Sequence, residues 1–241
     1  MKRPIDTRPP DPAALQLDTA LQLLKQSGHT PPPGAPGSAA WLQGVIDALC
    51  DLSSRDALTG LANRRSFETA LNREIDRVAR SGEPALLLLL DIDHFKRVND
   101  THGHAVGDLM IKAVSDALLE CVRPMDTAAR IGGEEFAVIL PNCPPAFGLT
   151  VAERLRARVE GKIIAVGPSQ HLGVTVSVGG AYAPQWVRSS PTIWVERSDL
   201  QLYRAKSEGR NRTCIEPTPV SLVSAEEKGL LFGNTVSGEL E

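Results

Sequence analysis

Two clusters of acidic side chains are the residues of this chain best suited to chemistry. The first cluster is Glu134-Glu135, which follows Gly132-Gly133 at a bend between two apolar stretches in residues 126–140. The paired glycines predict a two-residue hairpin turn, because glycine takes positive φ angles without a steric cost. Adjacent carboxylates at such a tip repel each other, and a divalent cation would neutralise them. The pattern therefore predicts a metal site at the hairpin tip.

The second acidic cluster follows a six-residue apolar stretch, residues 85–90, and reads Asp91-Ile92-Asp93. Such a stretch predicts a strand buried on both faces, and ligand sites in open α/β sheets gather where such strands end. Asp91 is thus the second predicted metal ligand. A single acidic residue is more often a solvated turn residue or a helix cap. The presence of two clusters favours the metal site.

Five motifs, in the same order, resemble those of the GGDEF-domain diguanylate cyclases. They are Gly132-Gly133-Glu134-Glu135-Phe136, residues 56–65 (DALTGLANRR), residues 91–96 (DIDHFK) with Asn99-Asp100, residues 102–104 with Gly107-Asp108, and residues 203–206 (YRAK) with residues 209–211 (GRN). The resemblance spans residues 52–216, with Glu134 where the family's name has aspartate. It implies an α/β (α+β) fold, in which helices flank a mixed central sheet, with the palm-like, ferredoxin-related arrangement of nucleotidyl cyclases. It also implies that two GTP molecules are condensed to cyclic di-GMP with release of two pyrophosphates.

The resemblance assigns the metal ligands and the catalytic carboxylates. Asp91, the backbone carbonyl of Ile92 and Glu134 would bind Mg²⁺, with Mn²⁺ as an alternative, since an all-oxygen ligand set suits a hard cation. Glu134 and Glu135 are the candidate catalytic residues. Glu134 is also the candidate acceptor of the proton from the attacking hydroxyl, although a metal ligand is usually too acidic to be a strong base.

The resemblance also assigns the residues that bind the nucleotide. Asn99 and Asp108 would bind guanine, because a carboxylate accepts hydrogen bonds from the N1–H and N2–H groups together, whereas adenine presents an acceptor at N1; this favours GTP over ATP. The predicted phosphate-binding residues are Lys96, Lys206 and Arg210 through their charged side chains, with the backbone amides of Phe95 and Lys96 as a further anion site. Taken singly, each of these is more often a surface or turn residue.

A homodimer is expected from the reaction itself. One chain carries one set of metal and phosphate ligands, whereas the product requires two GTP molecules facing each other. A symmetric dimer supplies two half-sites and aims each hydroxyl at the other nucleotide's α-phosphate.

A second nucleotide site is predicted upstream of the hairpin tip. Arg123-Pro124-Met125-Asp126 resembles the family's Arg-x-x-Asp inhibitory site for cyclic di-GMP, and Arg154 stands where the family often has a supporting arginine. The five residues between Asp126 and Gly132 span about 17 Å when extended, so bound product would not overlap the tip. The alternative is a loop salt bridge between Arg123 and Asp126, which would contribute little stability if exposed.

Composition favours a soluble, cytoplasmic protein that binds neither nucleic acid nor membranes. The net charge of −3 and the pI near 6.0 provide no basic stripe for long nucleic acids. The four cysteines are widely scattered, which favours reduced thiols and a cytosolic location. We recognise neither a signal-peptide core nor a run of about 18 apolar residues.

The chain divides into three predicted segments: an N-terminal helical segment with a Pro-rich linker (1–51), the GGDEF domain (52–216) and a flexible C-terminal tail (217–241). Asp11 is predicted to cap a first helix that Gly28 ends, residues 31–37 form the linker, and Ser38 caps a second helix. The apolar stripes of these helices either cover the catalytic domain or form a dimer contact. No sensor domain is recognised ahead of the catalytic part, so the input signal stays open.

Alternating patterns predict the remaining elements. Helices are expected at about 64–81, 105–121, 145–160 and 192–207, and strands at 85–90, 174–182 and near Thr213, in addition to the hairpin. Trp186 and Trp194 are interpreted as core or interface filler. Two rival functions stay open: a degenerate domain that senses cyclic di-GMP without making it, and a palm-type cyclase that uses ATP or mixed nucleotides.

Overall fold

The computed structural model describes residues 16–30, 32–167 and 169–217. The helices are α1 (Asp18–Gln26), α2 (Ala39–Ser54), α3 (Arg64–Ser81), α4 (Phe95–His102), α5 (His104–Leu119), α6 (Pro145–Glu160) and α7 (Pro191–Ser207). The strands are β1 (Ala85–Ile92), β2 (Thr127–Arg130), β3 (Glu135–Pro141), β4 (Ile163–Gly167), β5 (Gln170–Gly173), β6 (Val176–Tyr182) and β7 (Thr213–Ile215). The predicted Asp11 cap and, apart from Pro217, the predicted C-terminal tail lie outside the described residues.

Five strands form the main sheet in the order β2-β3-β1-β6-β7. Strand β1 lies at the centre and pairs antiparallel with β3 and with β6, whereas β6 and β7 are parallel. Every residue of β1 is buried, as its continuous apolar run predicts. The mixed sheet flanked by helices is therefore confirmed.

Successive leucines of β1 divide between the two faces of the sheet, because side chains alternate along a strand. Leu86, Leu88 and Leu90 pack in one core cluster with residues of α5 and α6. Leu87 and Leu89 pack in the other with residues of α3 and α7. Each fully buried leucine stabilises the fold by about 1.5–3 kcal/mol, so one strand holds both helical layers in place.

Helix α7 lies against β6 with its backbone in direct contact. A Cβ atom added at Gly179 would lie 2.0 Å from the backbone nitrogen of Leu202, so only glycine permits this approach. Trp194 is completely buried and its Nε1–H donates to the Ala181 carbonyl at 2.8 Å, which confirms its interpretation as a core residue. Trp186 is 70% exposed, with its ring against Gly82.

The two N-terminal helices pack on each other. Leu24 of α1 is buried against Trp41 and Val45 of α2, in a cluster separate from the two clusters of the sheet. The Ser38 hydroxyl accepts a hydrogen bond from the Trp41 N–H, and Gly28 follows α1 with φ 79°; both predicted helix ends are confirmed. Packing between α1 and α2 thus buries part of their apolar stripes, whereas Ile46 of α2 stays 53% exposed.

Polar contacts join α2 to the domain. The Asn63 side-chain amide donates to the Ser53 carbonyl at 2.7 Å, and its oxygen accepts from the Ser66 N–H at the start of α3. These two contacts link the N-terminal helix to the domain.

Two elements were not predicted. The first is the short helix α4, which follows His94 with its φ of 57°. The second is the hairpin of β4 and β5, a separate two-stranded sheet. No helix in the described ranges combines the length and the apolar character needed to span a membrane.

Candidate active site

The hairpin tip is wider than predicted. The last β2–β3 ladder pair is Arg130 with Phe136, and the Ile131 N–H donates to the Glu135 carbonyl at 2.9 Å. Neither Gly132 nor Gly133 has a positive φ, so the predicted two-residue turn with positive φ angles is wrong. The Arg130 guanidinium supplies the physical reason, because it donates to the Gly133 carbonyl from Nε (3.2 Å) and Nη2 (2.8 Å) and holds the turn open.

The glycines instead provide space. A Cβ atom at Gly132 would lie 2.3 Å from Oε2 of Glu135, whose side chain folds back over the turn. A Cβ atom at Gly133 would meet nothing within 4 Å. Gly133 therefore presents bare backbone to an open space that a ligand can approach closely.

Arg130, which the sequence analysis did not single out, joins the hairpin tip to the first motif. Its Nη1 donates to both carboxylate oxygens of Asp56 at 3.2 Å, across 74 sequence positions. Burial alone would raise the pKa of Asp56, but hydrogen bonds from Thr59 and Arg130 outweigh it and lower that pKa. The charged pair is therefore maintained at neutral pH. A basic residue directly ahead of the signature is the sequence signal that could have identified it.

The two acidic clusters converge at the end of β1. Asp91 is 7% exposed and pairs in register with Glu135, and the Ile92 N–H donates to the Glu134 carbonyl at 3.2 Å. Burial raises the pKa of Asp91, and Asp93 adds to the shift. Burial also raises the pKa of Glu134, and the negative charge of Asp91 raises it further. A carboxylate whose ionisation is disfavoured by a neighbouring carboxylate is a suitable ligand for a cation.

Two basic residues face these carboxylates. Lys206, near the end of α7, places Nζ 2.8 Å from Oδ2 of Asp91. Arg210 follows α7 with φ 64°, and its positive charge offsets part of the rise that burial causes in the pKa of Asp91. The structure thus brings Asp91, Glu134, Lys206 and Arg210 into one site.

The donor atoms fit Mg²⁺ bound together with a nucleotide. Asp91 and Glu134 supply carboxylate oxygens, and the backbone of Ile92 is hydrogen-bonded to that of Glu134. Among the described residues, no group of three or more His, Cys, Asp or Glu side chains forms a metal cage. Mg²⁺ typically uses one or two carboxylates plus substrate phosphates, so two carboxylates suffice for a metal that arrives with a triphosphate. Glu135 is exposed and turned over Gly132, which makes it the weaker candidate ligand.

Helices α4 and α5 carry the predicted nucleotide-binding residues. Phe95 is buried at the start of α4, Lys96 is exposed beside it, and Asp108 is exposed on α5. The side-chain oxygen of Asn99 is buried and lacks a hydrogen-bond partner within the described part of the chain. Buried polar atoms are rarely left unpaired. The unpaired amide oxygen therefore fits a residue whose partner is a donor on a bound ligand, such as guanine.

Gly107 makes room for Asn99, and this gives a first testable prediction. A Cβ atom at Gly107 would lie 2.0 Å from Oδ1 of Asn99, so Gly107→Ala must displace the amide. We expect the affinity for a nonhydrolysable GTP analogue, measured by calorimetry, to fall about tenfold, the equivalent of one lost hydrogen bond. The stability of helix α5 should not fall, because alanine is the better helix former.

A double-mutant cycle with Asn99→Ala is the control for this prediction. Once the amide is absent, the added methyl group has nothing to displace, so Gly107→Ala should cause little further loss of affinity. An equal loss in both backgrounds would contradict the proposed role of Gly107.

Asp93, the second aspartate of the cluster at the end of β1, has a structural role. Its buried carboxylate accepts hydrogen bonds from the hydroxyls of Thr175 and Ser177, each at 2.6 Å, and from the Asn211 N–H at 3.0 Å. Arg156 of α6 donates to the Asn211 side chain at 2.7 Å. These contacts fix the loop that carries Arg210 and therefore position a predicted phosphate ligand.

The predicted inhibitory residues also converge, away from the hairpin tip. Arg123, Asp126 and Arg154 line one cavity of about 170 Å³. The Asp126 carboxylate accepts from the backbone N–H of Arg123 at 2.7 Å, and Arg154 donates to the Cys121 carbonyl at 2.9 Å. Within the described residues, the Arg123 guanidinium forms no ion pair with Asp126, so the alternative of a loop salt bridge is not found. Burial raises the pKa of Asp126.

Comparisons with known proteins identify the family of this chain. The sequence profile of "Diguanylate cyclase, GGDEF domain" matches residues 53–212. The response regulator PleD of Caulobacter vibrioides is 35% identical over 212 residues, which cover 88% of this chain and 43% of that protein. The probable diguanylate cyclase DgcC of Escherichia coli is 41% identical over 162 residues, which cover 67% of this chain and 43% of that one. The chain thus spans less than half the length of these relatives.

A solved structure shows the same fold. The coiled coil and GGDEF domain of DgcB from Caulobacter crescentus, in complex with c-di-GMP, superposes with a TM-score of 0.69 and 30% identity, covering 83% of this chain and 100% of that one. The profile match over residues 53–212 and the shared fold show that the chain belongs to the GGDEF-domain diguanylate cyclase family.

Proposed function

We propose that the chain is a diguanylate cyclase that condenses two GTP molecules into cyclic di-GMP and two pyrophosphates. The observation that carries this proposal is the convergence of Asp91 and Glu134 at the end of β1, with Lys206 and Arg210 facing them. Paired carboxylates with facing cations suit phosphoryl transfer, in which the protein mainly positions groups and compensates charge.

In each step, the 3′-hydroxyl of one GTP attacks the α-phosphorus of the other. A phosphorus–oxygen bond forms, the bond to pyrophosphate breaks, and the hydroxyl proton leaves. Bound Mg²⁺, or Mn²⁺, would polarise the phosphate and the attacking hydroxyl. Lys96, Lys206 and Arg210 would hold the triphosphate, together with the amides of Phe95 and Lys96 at the start of α4.

Glu134 is the proposed proton acceptor, supported by its position beside Asp91 and by the burial that raises its pKa. Glu135 is the alternative at the same turn. Asn99 and Asp108 would bind guanine, and the unpaired amide oxygen of Asn99 supports its share of this role.

The active form would be a homodimer, because each chain supplies one half-site. We assign residues 1–51 to a helical segment, 52–216 to the catalytic domain and 217–241 to a tail. The separate α1–α2 cluster and the profile match to residues 53–212 support the first boundary. We also propose that cyclic di-GMP inhibits the enzyme through Arg123, Asp126 and Arg154, since these residues share one cavity.

Turnover by the purified chain tests the proposal. With GTP and Mg²⁺ we expect cyclic di-GMP and pyrophosphate in a 1:2 ratio, with a specific rate that falls on dilution as dimers dissociate. ATP in the same assay should be converted at least about 10²-fold more slowly than GTP. Binding of cyclic di-GMP without any turnover at high protein concentration would overturn the proposal in favour of the sensor, and equal use of ATP would favour the other palm-type cyclase.

A further inference from the structure

An exposed aromatic side chain lies at the predicted inhibitory cavity. Phe147, in the first turn of α6, is 61% exposed. It lines the same cavity as Arg123, Asp126 and Arg154. A large apolar ring in this position gains little from folding, because most of its surface stays in water. Its location beside three polar residues that suit a nucleotide requires a different explanation.

We propose that Phe147 is a stacking platform for one guanine base of bound cyclic di-GMP, an inference that rests on the proposed product inhibition. Arginine recognises the O6 and N7 edge of guanine or a phosphate, and aspartate accepts from N1–H and N2–H. Both kinds of contact lie in the plane of the base and leave its faces uncovered. An exposed phenyl ring covers a face, which is how aromatic side chains bind bases in single-stranded nucleic acids.

The size of the cavity supports this arrangement. Its volume of about 170 Å³ is below the roughly 300–1,000 Å³ of ordinary small-molecule pockets. It can hold one part of a cyclic dinucleotide but not the whole molecule. The remainder must lie on the surface beside the cavity, and there an exposed ring adds contact area that the enclosed part cannot supply.

The chain offers a matched control on the same helix. Leu149 of α6 is 55% exposed but lines a different cavity, formed with residues of β7. Leu149→Ala therefore removes exposed apolar surface from the same helix without touching the proposed site. Phe147→Leu keeps apolar bulk at the site but removes the aromatic face, and Phe147→Trp keeps the face.

The experiment is calorimetric titration of the full chain with cyclic di-GMP. For Phe147→Ala and Phe147→Leu we expect a 5- to 150-fold weaker affinity, which corresponds to about 1–3 kcal/mol for one stacked base. Phe147→Trp and Leu149→Ala should bind as the unmodified chain does. The initial rate with GTP, before product accumulates, should be the same for all four variants, because none of these side chains lies in the active site.

Arg123→Ala separates failure of this inference from failure of the proposed inhibitory site. If Arg123→Ala abolishes binding while Phe147→Leu binds normally, the stacking role is overturned and the site stands. If Arg123→Ala also binds normally, product does not bind in this cavity, and both proposals fall. If Phe147→Trp binds as weakly as Phe147→Ala, any bulky change disrupts the cavity, and stacking is likewise overturned.

Discussion

Replacing Asp91 with alanine is expected to lower the rate of cyclic di-GMP formation by roughly 10³-fold or more. Loss of a metal ligand removes several kcal/mol of charge stabilisation from the transition state, and about 4 kcal/mol corresponds to that factor. Asp91 also has the central position in the site, because it lies beside Glu134 and binds Lys206. The measurement is the initial rate of pyrophosphate release at saturating GTP and Mg²⁺.

The loss of activity should come without loss of stability. Burial raises the pKa of Asp91, so its charged form is disfavoured by folding and destabilises the protein as pH rises through that pKa. Alanine removes this cost, and Lys206, whose side chain is 33% exposed, can reach solvent. The thermal midpoint at neutral pH should therefore be unchanged or higher.

Asp116→Ala, at an exposed position on α5, is the matched control and should keep full activity. An Asp91→Ala protein that retained a tenth of the original rate would show that Asp91 is not an essential metal ligand.

The sequence predicted the acidic site because its key residues depend on short-range features. The apolar run that forms β1 ends directly at Asp91. The Gly132-Gly133 turn comes shortly before β3, which is the strand that pairs with β1. A buried strand and a hairpin suffice to suggest two clusters that can meet, and the register of Asp91 with Glu135 confirms their proximity. The order of the motifs supplied the rest of the family assignment.

The features that were missed depend on contacts that local sequence does not encode. The turn conformation follows from Arg130, which binds Gly133 and Asp56 at once; this tertiary contact overrides the usual preference of a Gly-Gly pair. Helix α4 has eight residues, of which only Phe95 and Val98 are apolar, too few for a helical period to be recognised. The packing of α1 on α2 also depends on a tertiary contact. The apolar stripes of the two helices alone do not determine which surface covers them.

Replacing Asp108 with alanine is expected to remove the preference for GTP. Two hydrogen bonds from guanine to a carboxylate contribute about 1.5–3 kcal/mol each, so kcat/KM for GTP should fall by roughly 10²-fold or more, with the rate for ATP unchanged. Asp108→Asn should shift selectivity further towards ATP, since an amide can donate to the acceptor at adenine N1. The measurement is kcat/KM for both nucleotides, with Asp116→Ala as the control.

The location of Asp108 makes this result separable from that of Asp91→Ala. Asp108 is exposed on α5 and is not among the charged groups that shift the pKa of Asp91 or Glu134. Asp108→Ala should therefore weaken GTP binding and leave the metal ligands intact, whereas Asp91→Ala should still distinguish GTP from ATP in a binding assay. If Asp108→Ala keeps the selectivity for GTP, Asp108 does not recognise guanine. The unpaired amide oxygen of Asn99 would then be the remaining candidate for this role.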